Sequence, residues 1–272
     1  MSDSTTSAAK PVRILLIGDV VGSPGREVVK RCVPLLREQF SIDACIANGE
    51  NVAGGFGLTV QTAQELFDNG VDFLTSGNHI FDKREFRGHL EASDRIVRPA
   101  NYPPDAPGRG SGVLSVNGAK VGVLNLMGRT FMPPVDDPFR LAKEMAQDLR
   151  RHTPVVVVDM HAEATSEKVA MARFLDGDVS AVYGTHTHVQ TADEQILDGG
   201  TAYITDVGMT GPMQGVIGMD QGAVLERFLT GFSERFSVQK NGAKQFCAVM
   251  VTVDAHSGRA LDIKRIFQRG LP

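Results

Sequence analysis

The chain has 272 residues, 42% of them hydrophobic and 22% charged, and carries a formal net charge of -4. This is the composition of an ordinary soluble globular protein, long enough to bury a full core and within the reach of one compact α/β enzyme. It argues against a binder of duplex nucleic acid, which would carry a basic surplus, and no apolar run approaches the ~20 residues that a membrane helix requires.

The first eleven residues, MSDSTTSAAKP, are small and polar with one lysine and no apolar stretch. Residues 1–11 therefore read as a flexible tail rather than a signal peptide or anchor, and 12–272 as a single domain. Ile14-Leu15-Leu16-Ile17 is a short apolar run ending in Gly18-Asp19, followed by Gly22, Pro24 and Gly25 and a helical pattern from Arg26 to Glu38. The order is strand, glycine-rich loop, helix. It admits a dinucleotide-binding reading, although these glycines do not spell G-x-G-x-x-G. Asp19 is either a ligand at the carboxyl edge of a parallel sheet or a capping or turn residue.

Ala44 to Ala47 is a second apolar run that ends in polar residues, Asn48-Gly49-Glu50-Asn51, before a loop with Gly54, Gly55 and Gly57. Thr59 caps a helix to about Asn69. A third strand, Val71 to Thr75, ends in Ser76-Gly77-Asn78-His79, and Asp82 with Glu85 reads as a capping box opening the next helix. The Pro99–Pro107 loop precedes Gly112–Val116 and Lys120–Leu126, which read as a β-hairpin about Asn117-Gly118. An antiparallel hairpin inside a βαβ chain implies a mixed sheet or a second sheet.

A loop, Gly128–Pro138, carries Arg129, and Phe139–Arg151 is helical. Val155–Val158 ends in Asp159-Met160-His161-Ala162-Glu163, and a helix spans about Ser166 to Leu175. Val179–Tyr183 runs into Gly184-Thr185-His186-Thr187-His188; Ala202–Ile204 leads to Asp206 and a loop, Gly208-Met209-Thr210-Gly211-Pro212. Phe246–Val253 and Asp262–Phe267 are the last strands, around a His256-Ser257-Gly258 turn. There is no internal repeat, low-complexity tract or linker. Cys32, Cys45 and Cys247 are odd in number, widely spaced and free of any Cys-x-x-Cys pattern, which points to a reduced, cytoplasmic protein.

His186 and His188, in extended backbone, would point the same way with Cα atoms roughly 6.5 Å apart. That spacing suits two metal ions about 3.5 to 4 Å apart. Each candidate also has a plain structural reading: Asp19 as a cap, Asn51 and Asn78 as turn residues, Glu50 as a loop charge, His161 as a satisfied buried histidine. Their recurrence at successive strand ends weighs against coincidence. Carboxylate, amide and imidazole ligands suit iron, manganese or zinc, and no thiolate is offered. Glu50 could bridge two ions, and His79, beside Asn78, would be free as a general acid.

Gly18-Asp19-Val20-Val21-Gly22, Asn48-Gly49-Glu50-Asn51, Gly77-Asn78-His79, the run from His161 to Lys168, and Gly184-Thr185-His186-Thr187-His188 resemble the motifs of the calcineurin-like metallophosphoesterases. The chain is more closely similar to their bacterial branch of 2',3'-cyclic-nucleotide phosphodiesterases, over nearly its whole length after the tail. The resemblance implies an α/β sandwich of two mixed β-sheets flanked by helices. It implies that Asp19, Glu50, Asn51 and His188 hold one metal, that Glu50 as bridge, Asn78, His161 and His186 hold the other, and that His79 donates a proton. Val21, Glu50 and Ile80 depart from the wider superfamily, which usually has His, Asp and an acid there, and match the cyclic-nucleotide branch. That branch is associated with iron, and the ligands would accept manganese.

The expected reaction is attack on a 2',3'-cyclic phosphate by a hydroxide bridging two metals, with His79 protonating the departing ribose oxygen to leave a nucleoside monophosphate. The alternatives are a phosphomonoesterase or 3',5'-cyclic-nucleotide phosphodiesterase on the same core, or a regulatory protein that binds a nucleotide or RNA end with hydrolysis secondary. The expected partner is a cyclic nucleotide or RNA-derived phosphoester, with neither duplex nucleic acid nor membrane, and a homo-oligomer is left open. Arg129 and Thr210-Gly211-Pro212 are candidate phosphate or base contacts, though an exposed arginine and a Gly-Pro turn need no function.

Overall fold

The computed structural model of the chain describes residues 10–116, 118–232 and 235–272. Most of the expected tail, and Asn117 of the expected hairpin turn, lie outside the described residues. In chain order the elements are β1 (Val12–Val20), α1 (Gly22–Phe40), β2 (Ala44–Asn48), α2 (Val60–Asp68), β3 (Phe73–Thr75), a 3₁₀ turn (Arg84–Phe86) and α3 (Arg87–Ala92). Then come β4 (Ser111–Val116), β5 (Ala119–Met127), α4 (Pro138–Arg150), β6 (Val156–His161), α5 (Thr165–Phe174), β7 (Ala181–Thr185) and β8 (Gln195–Ile196). The chain closes with β9 (Ala202–Ile204), β10 (Met209–Pro212), α6 (Gln221–Thr230), β11 (Lys244–Val253) and β12 (Ala260–Leu271).

Runs of Val, Ile, Leu and Ala without polar alternation make strands buried on both faces. In β1, Leu15 and Ile17 share a core with Val29, Val33 and Leu36 of α1, whereas Ile14 and Leu16 meet Val123, Val157 and Tyr183 of the second sheet. The outer face of that second sheet, with Leu124, Val156 and Val158, is covered by Ala142, Ala146 and Leu149 of α4 and Met171 of α5. The layers are therefore helices, sheet, sheet, helices. Each sheet has six strands, in the orders β12-β11-β10-β1-β2-β3 and β4-β5-β6-β7-β9-β8. β10, β1, β2 and β3 are parallel, as are β5, β6, β7 and β9. β11 runs antiparallel to β1, β10 and β12 in the first sheet, and the hairpin β4–β5 supplies an antiparallel edge to the second, so both sheets are mixed, as the family resemblance implied.

The structure departs from the sequence expectation at several places. α1 begins at Gly22 rather than Arg26, because Pro24 falls in the first turn, where its missing N–H has no helical partner to lose. The Asp82–Glu85 capping box does not form. Asp82 Oδ2 instead takes the ring Nδ1 of His79 at 2.8 Å, and the chain continues as the 3₁₀ turn with no side-chain cap. Thr210-Gly211-Pro212 is not a loop but part of β10, fully buried, with the Thr210 hydroxyl donating to Cys247 O. α6 was not foreseen, because only its Val224 is buried and it lacks the apolar stripe that marks a core-facing helix. Among the described residues no helix is long and apolar enough to cross a membrane.

Candidate metal centre

Parallel strands of both sheets end at one seam. Asp19 lies near the end of β1, Glu50 and Asn51 follow β2, and Asn78 and His79 follow β3. From the other sheet, His161 closes β6, and His186 and His188 follow β7. All these expected residues converge. His161 Nε2 lies 3.2 Å from Glu50 Oε1 and 3.1 Å from both Asn78 Oδ1 and His186 Nδ1. A short distance away, His188 Nε2 lies 3.2 Å from the Asn51 amide and 3.8 Å from Asp19 Oδ1. The Asn51 amide also reaches Glu50 Oε1 at 3.2 Å, so Glu50 touches both groups.

The premise that the two strand-end histidines sit in extended backbone is corrected. β7 stops at Thr185, and His186 and His188 have φ of 95° and 66°. This left-handed region is costly for a side-chain-bearing residue, and it sends His186 to His161 and His188 to Asp19. A buried carboxylate holds the loop. Asp206 Oδ2 accepts from Thr187 N at 3.2 Å and Thr187 Oγ1 at 2.7 Å.

Each converging histidine has one ring nitrogen already occupied. His161 Nδ1 is 2.9 Å from Thr185 Oγ1, which donates to Asp159 Oδ1 at 2.6 Å. His186 Nε2 is 3.2 Å from Glu163 Oε2, and His188 Nδ1 donates to Ile217 O at 2.9 Å. The remaining nitrogens therefore carry lone pairs into the centre, which is how outer partners fix the tautomer of metal-ligating histidines. Two such lone pairs, His161 Nε2 and His186 Nδ1, face each other at 3.1 Å and require a proton or a cation between them. Asp19 Oδ1 is buried without a hydrogen-bond partner, which in a native interior calls for an ion or water. Gly77 leaves the room: a Cβ there would overlap His161 Nε2 and Glu50 Oε2. The residues fit metal ions.

Electrostatics agree. Burial and the neighbouring His161 push His186 down to about 3, keeping it neutral as a ligand must be. Burial opposes charge on Glu50 and His161, but their mutual attraction prevails, holding the Glu50 carboxyl well below the usual range and raising His161 to about 9. Burial raises Asp19, and it pushes Asp159 up to about 7 despite donors from Thr75 and Thr185.

His79 sits at the rim. Its backbone N donates to Glu50 Oε2 at 3.0 Å, and with Nδ1 on Asp82 its Nε2 is left to the cleft above the converging residues. Phe56 packs edge-on against the ring at 4.9 Å. The cleft holds about 520 Å³, and Arg227, not Arg129, is the arginine that lines it. Sequence reading missed Glu163, Thr185, Asp159 and Asp82 as supports. All four stand in stretches the sequence singles out, Asp159 and Glu163 beside His161, Thr185 beside His186 and Asp82 as a cap, but nothing local marks them as supports.

The profile of the YmdB-like protein family matches residues 15–266. The chain belongs to this family. The YmdB-like chain is 48% identical over 255 residues, 94% of its length and 96% of the relative's, to a Bacillus subtilis protein named 2',3'-cyclic-nucleotide 2'-phosphodiesterase. It superposes on a crystal structure of a hypothetical protein from Thermus thermophilus with a TM-score of 0.89, at 42% identity, covering 95% of this chain and 100% of that one. A Mycoplasma pneumoniae structure described as a novel phosphatase gives a TM-score of 0.90 at 34% identity, covering 97% and 95%. The architecture of the YmdB-like chain is the calcineurin-like metallophosphoesterase sandwich, and the chain is a metallophosphoesterase.

Proposed function

We propose that this chain is a dinuclear metal-dependent phosphodiesterase that opens 2',3'-cyclic nucleotides to nucleoside monophosphates. The observation that carries this reading is the occupied outer nitrogen of His161, His186 and His188, which turns three lone pairs toward two carboxylates and two amides. Asp19, Glu50, Asn51 and His188 would hold one ion, and Glu50, Asn78, His161 and His186 the other, with iron or manganese suited to such mixed ligands. When bound, the pair would supply an acidified water and positive charge against the phosphate oxygens. The name of the Bacillus subtilis relative supports the choice of substrate.

The chain's own part in the reaction is proton delivery and positioning. Asp82 accepts the Nδ1 proton of His79, so the ring turns Nε2 toward the cleft. In the doubly protonated ring Nε2–H gives its proton to the ribose oxygen as that oxygen's bond to phosphorus breaks, and the proton shed by the attacking water restores Nε2–H. Glu50 fixes the base of this histidine through its backbone N–H, tying the proton donor to the ligand cluster.

Metal content and hydrolysis of 2',3'-cyclic AMP before and after chelation test the reading. Two ions per chain and chelator-sensitive ring opening are expected. Full turnover by metal-stripped protein would overturn it, and hydrolysis of p-nitrophenyl phosphate but no cyclic nucleotide would make the chain a monoesterase.

A further inference from the structure

The cleft above the ligands has two unlike walls. Glu50, Asn51, His186 and His188 line one side; the other is built from the loop before α6, from α6 itself and from Phe236. Met219, Val224 and Val238 form a small core there with Phe56 and Phe236 packed on it. This aromatic wall starts at the proton donor, because Phe56 lies edge-on to His79. It is also tied to the ligands, because Ile217 O accepts the Nδ1 proton of His188.

Two side chains on this wall are exposed to the cleft. Phe228 lines the cleft yet is 81% exposed. Arg227 lines it too, makes no ion pair among the described residues, and holds its guanidinium carbon 5.5 Å from the centre of the Phe236 ring. A flat ring left in water beside an arginine laid on a second ring is the arrangement by which proteins hold nucleobases, through stacking that any base can satisfy. A volume of about 520 Å³ matches a single small ligand rather than a chain.

We infer that α6 and Phe236 form a nucleobase subsite, in which Phe228 and Phe236 stack the base and Arg227 stiffens the stack, with the phosphate at the ligand cluster. This rests on the cyclic-nucleotide reading above and deepens it. The subsite accepts both purines and pyrimidines and favours purines, whose stacking face is larger. It acts on substrate capture rather than on the chemical step, since neither ring belongs to the cluster that would hold the ions or to the proton donor.

The test compares 2',3'-cyclic AMP with 1-O-methylribose 2',3'-cyclic phosphate, which has no base, on metal-loaded full-length protein and on Phe228→Ala. Wild-type protein is expected to prefer the nucleotide by about tenfold or more in kcat/KM, and Phe228→Ala to lose most of that preference through KM. Phe236→Leu, which keeps an apolar side chain in the small core without a ring, should do the same, and calorimetric Kd values for 3'-AMP against ribose 3-phosphate should follow. Equal kcat/KM for the two substrates in wild-type protein would overturn the subsite while leaving the cyclic-phosphodiesterase reading intact. Turnover of neither substrate by protein loaded with both ions would remove that reading and the subsite with it. A change in oligomeric state with KM unmoved would place Phe228 in a subunit interface and overturn the proposal.

Discussion

Lys168 Nζ lies 2.7 Å from Asp206 Oδ2, and both side chains are fully buried. The same carboxylate anchors Thr187, between the two left-handed histidines, and its other oxygen accepts from Gly208 N at 2.7 Å. The ion pair sits beneath the ligand loop as its foundation.

Lys168→Met should accordingly destabilise the fold by about 3–5 kcal/mol, because it leaves Asp206 charged and unpaired in the interior. It should also lower metal stoichiometry, since the loop carrying His186 and His188 loses its anchor. Urea unfolding with metal analysis reads both effects. Wild-type stability in the variant would show that Asp206 does not depend on Lys168.

His79→Ala should retain the ions and lose roughly 10²- to 10⁴-fold in kcat, the usual contribution of a positioned acid. Asp82→Ala should act more mildly, roughly 10-fold or more, through a ring free to turn. Steady-state kinetics on metal-verified protein separate the two, and an unchanged kcat in His79→Ala would remove it from the reaction.

Metal uptake should tighten as pH rises. In the metal-free chain His161 titrates at about 9, above the ordinary value of about 6.5, so a proton on it competes with the ion. Affinity for the ion held by His161 should climb by up to about tenfold per pH unit until pH 9, with proton release on binding. The same shift runs oppositely for metal-free stability: the His161–Glu50 contribution is complete between about pH 4.5 and 6.5, fades as pH rises through 9, and is lost on the acid side as Glu50 takes up its proton. Calorimetry in buffers of different ionisation enthalpy counts the protons; a pH-independent affinity would contradict the prediction.

Gly77→Ala should fold yet fail to load fully, because the added methyl occupies the space between His161 Nε2 and Glu50 Oε2. Circular dichroism and metal analysis are the readouts. Two ions in the variant would mean that the backbone yields at this position.

The strands carrying the centre were legible because each is a short apolar run stopped by a polar cluster, a pattern set by burial on both faces. His161 and Glu50 could be nominated from those strand ends, and the motif resemblance sorted them into groups. What the local pattern hid was partnership across the fold. Asp82 satisfies a helix-capping rule in sequence but is engaged by His79 in space, and Glu163, Thr185 and Asp159 become supports only when strands of the second sheet align. α6 was hidden for the opposite reason: a helix whose apolar side chains mostly face water, Leu225, Phe228 and Leu229 among them, has no core-facing stripe to read.

The proposed ligands straddle the seam of the sandwich, with Asp19, Glu50, Asn51 and Asn78 from one sheet and His161, His186 and His188 from the other. Ions held there would rivet one layer to the other, so their binding free energy becomes part of the cohesion of the sandwich. The melting temperature of this protein would then be a gauge of metal supply: starvation for the ion would soften the whole molecule at that end, and hydrolytic capacity and lifetime in the cell would decline together.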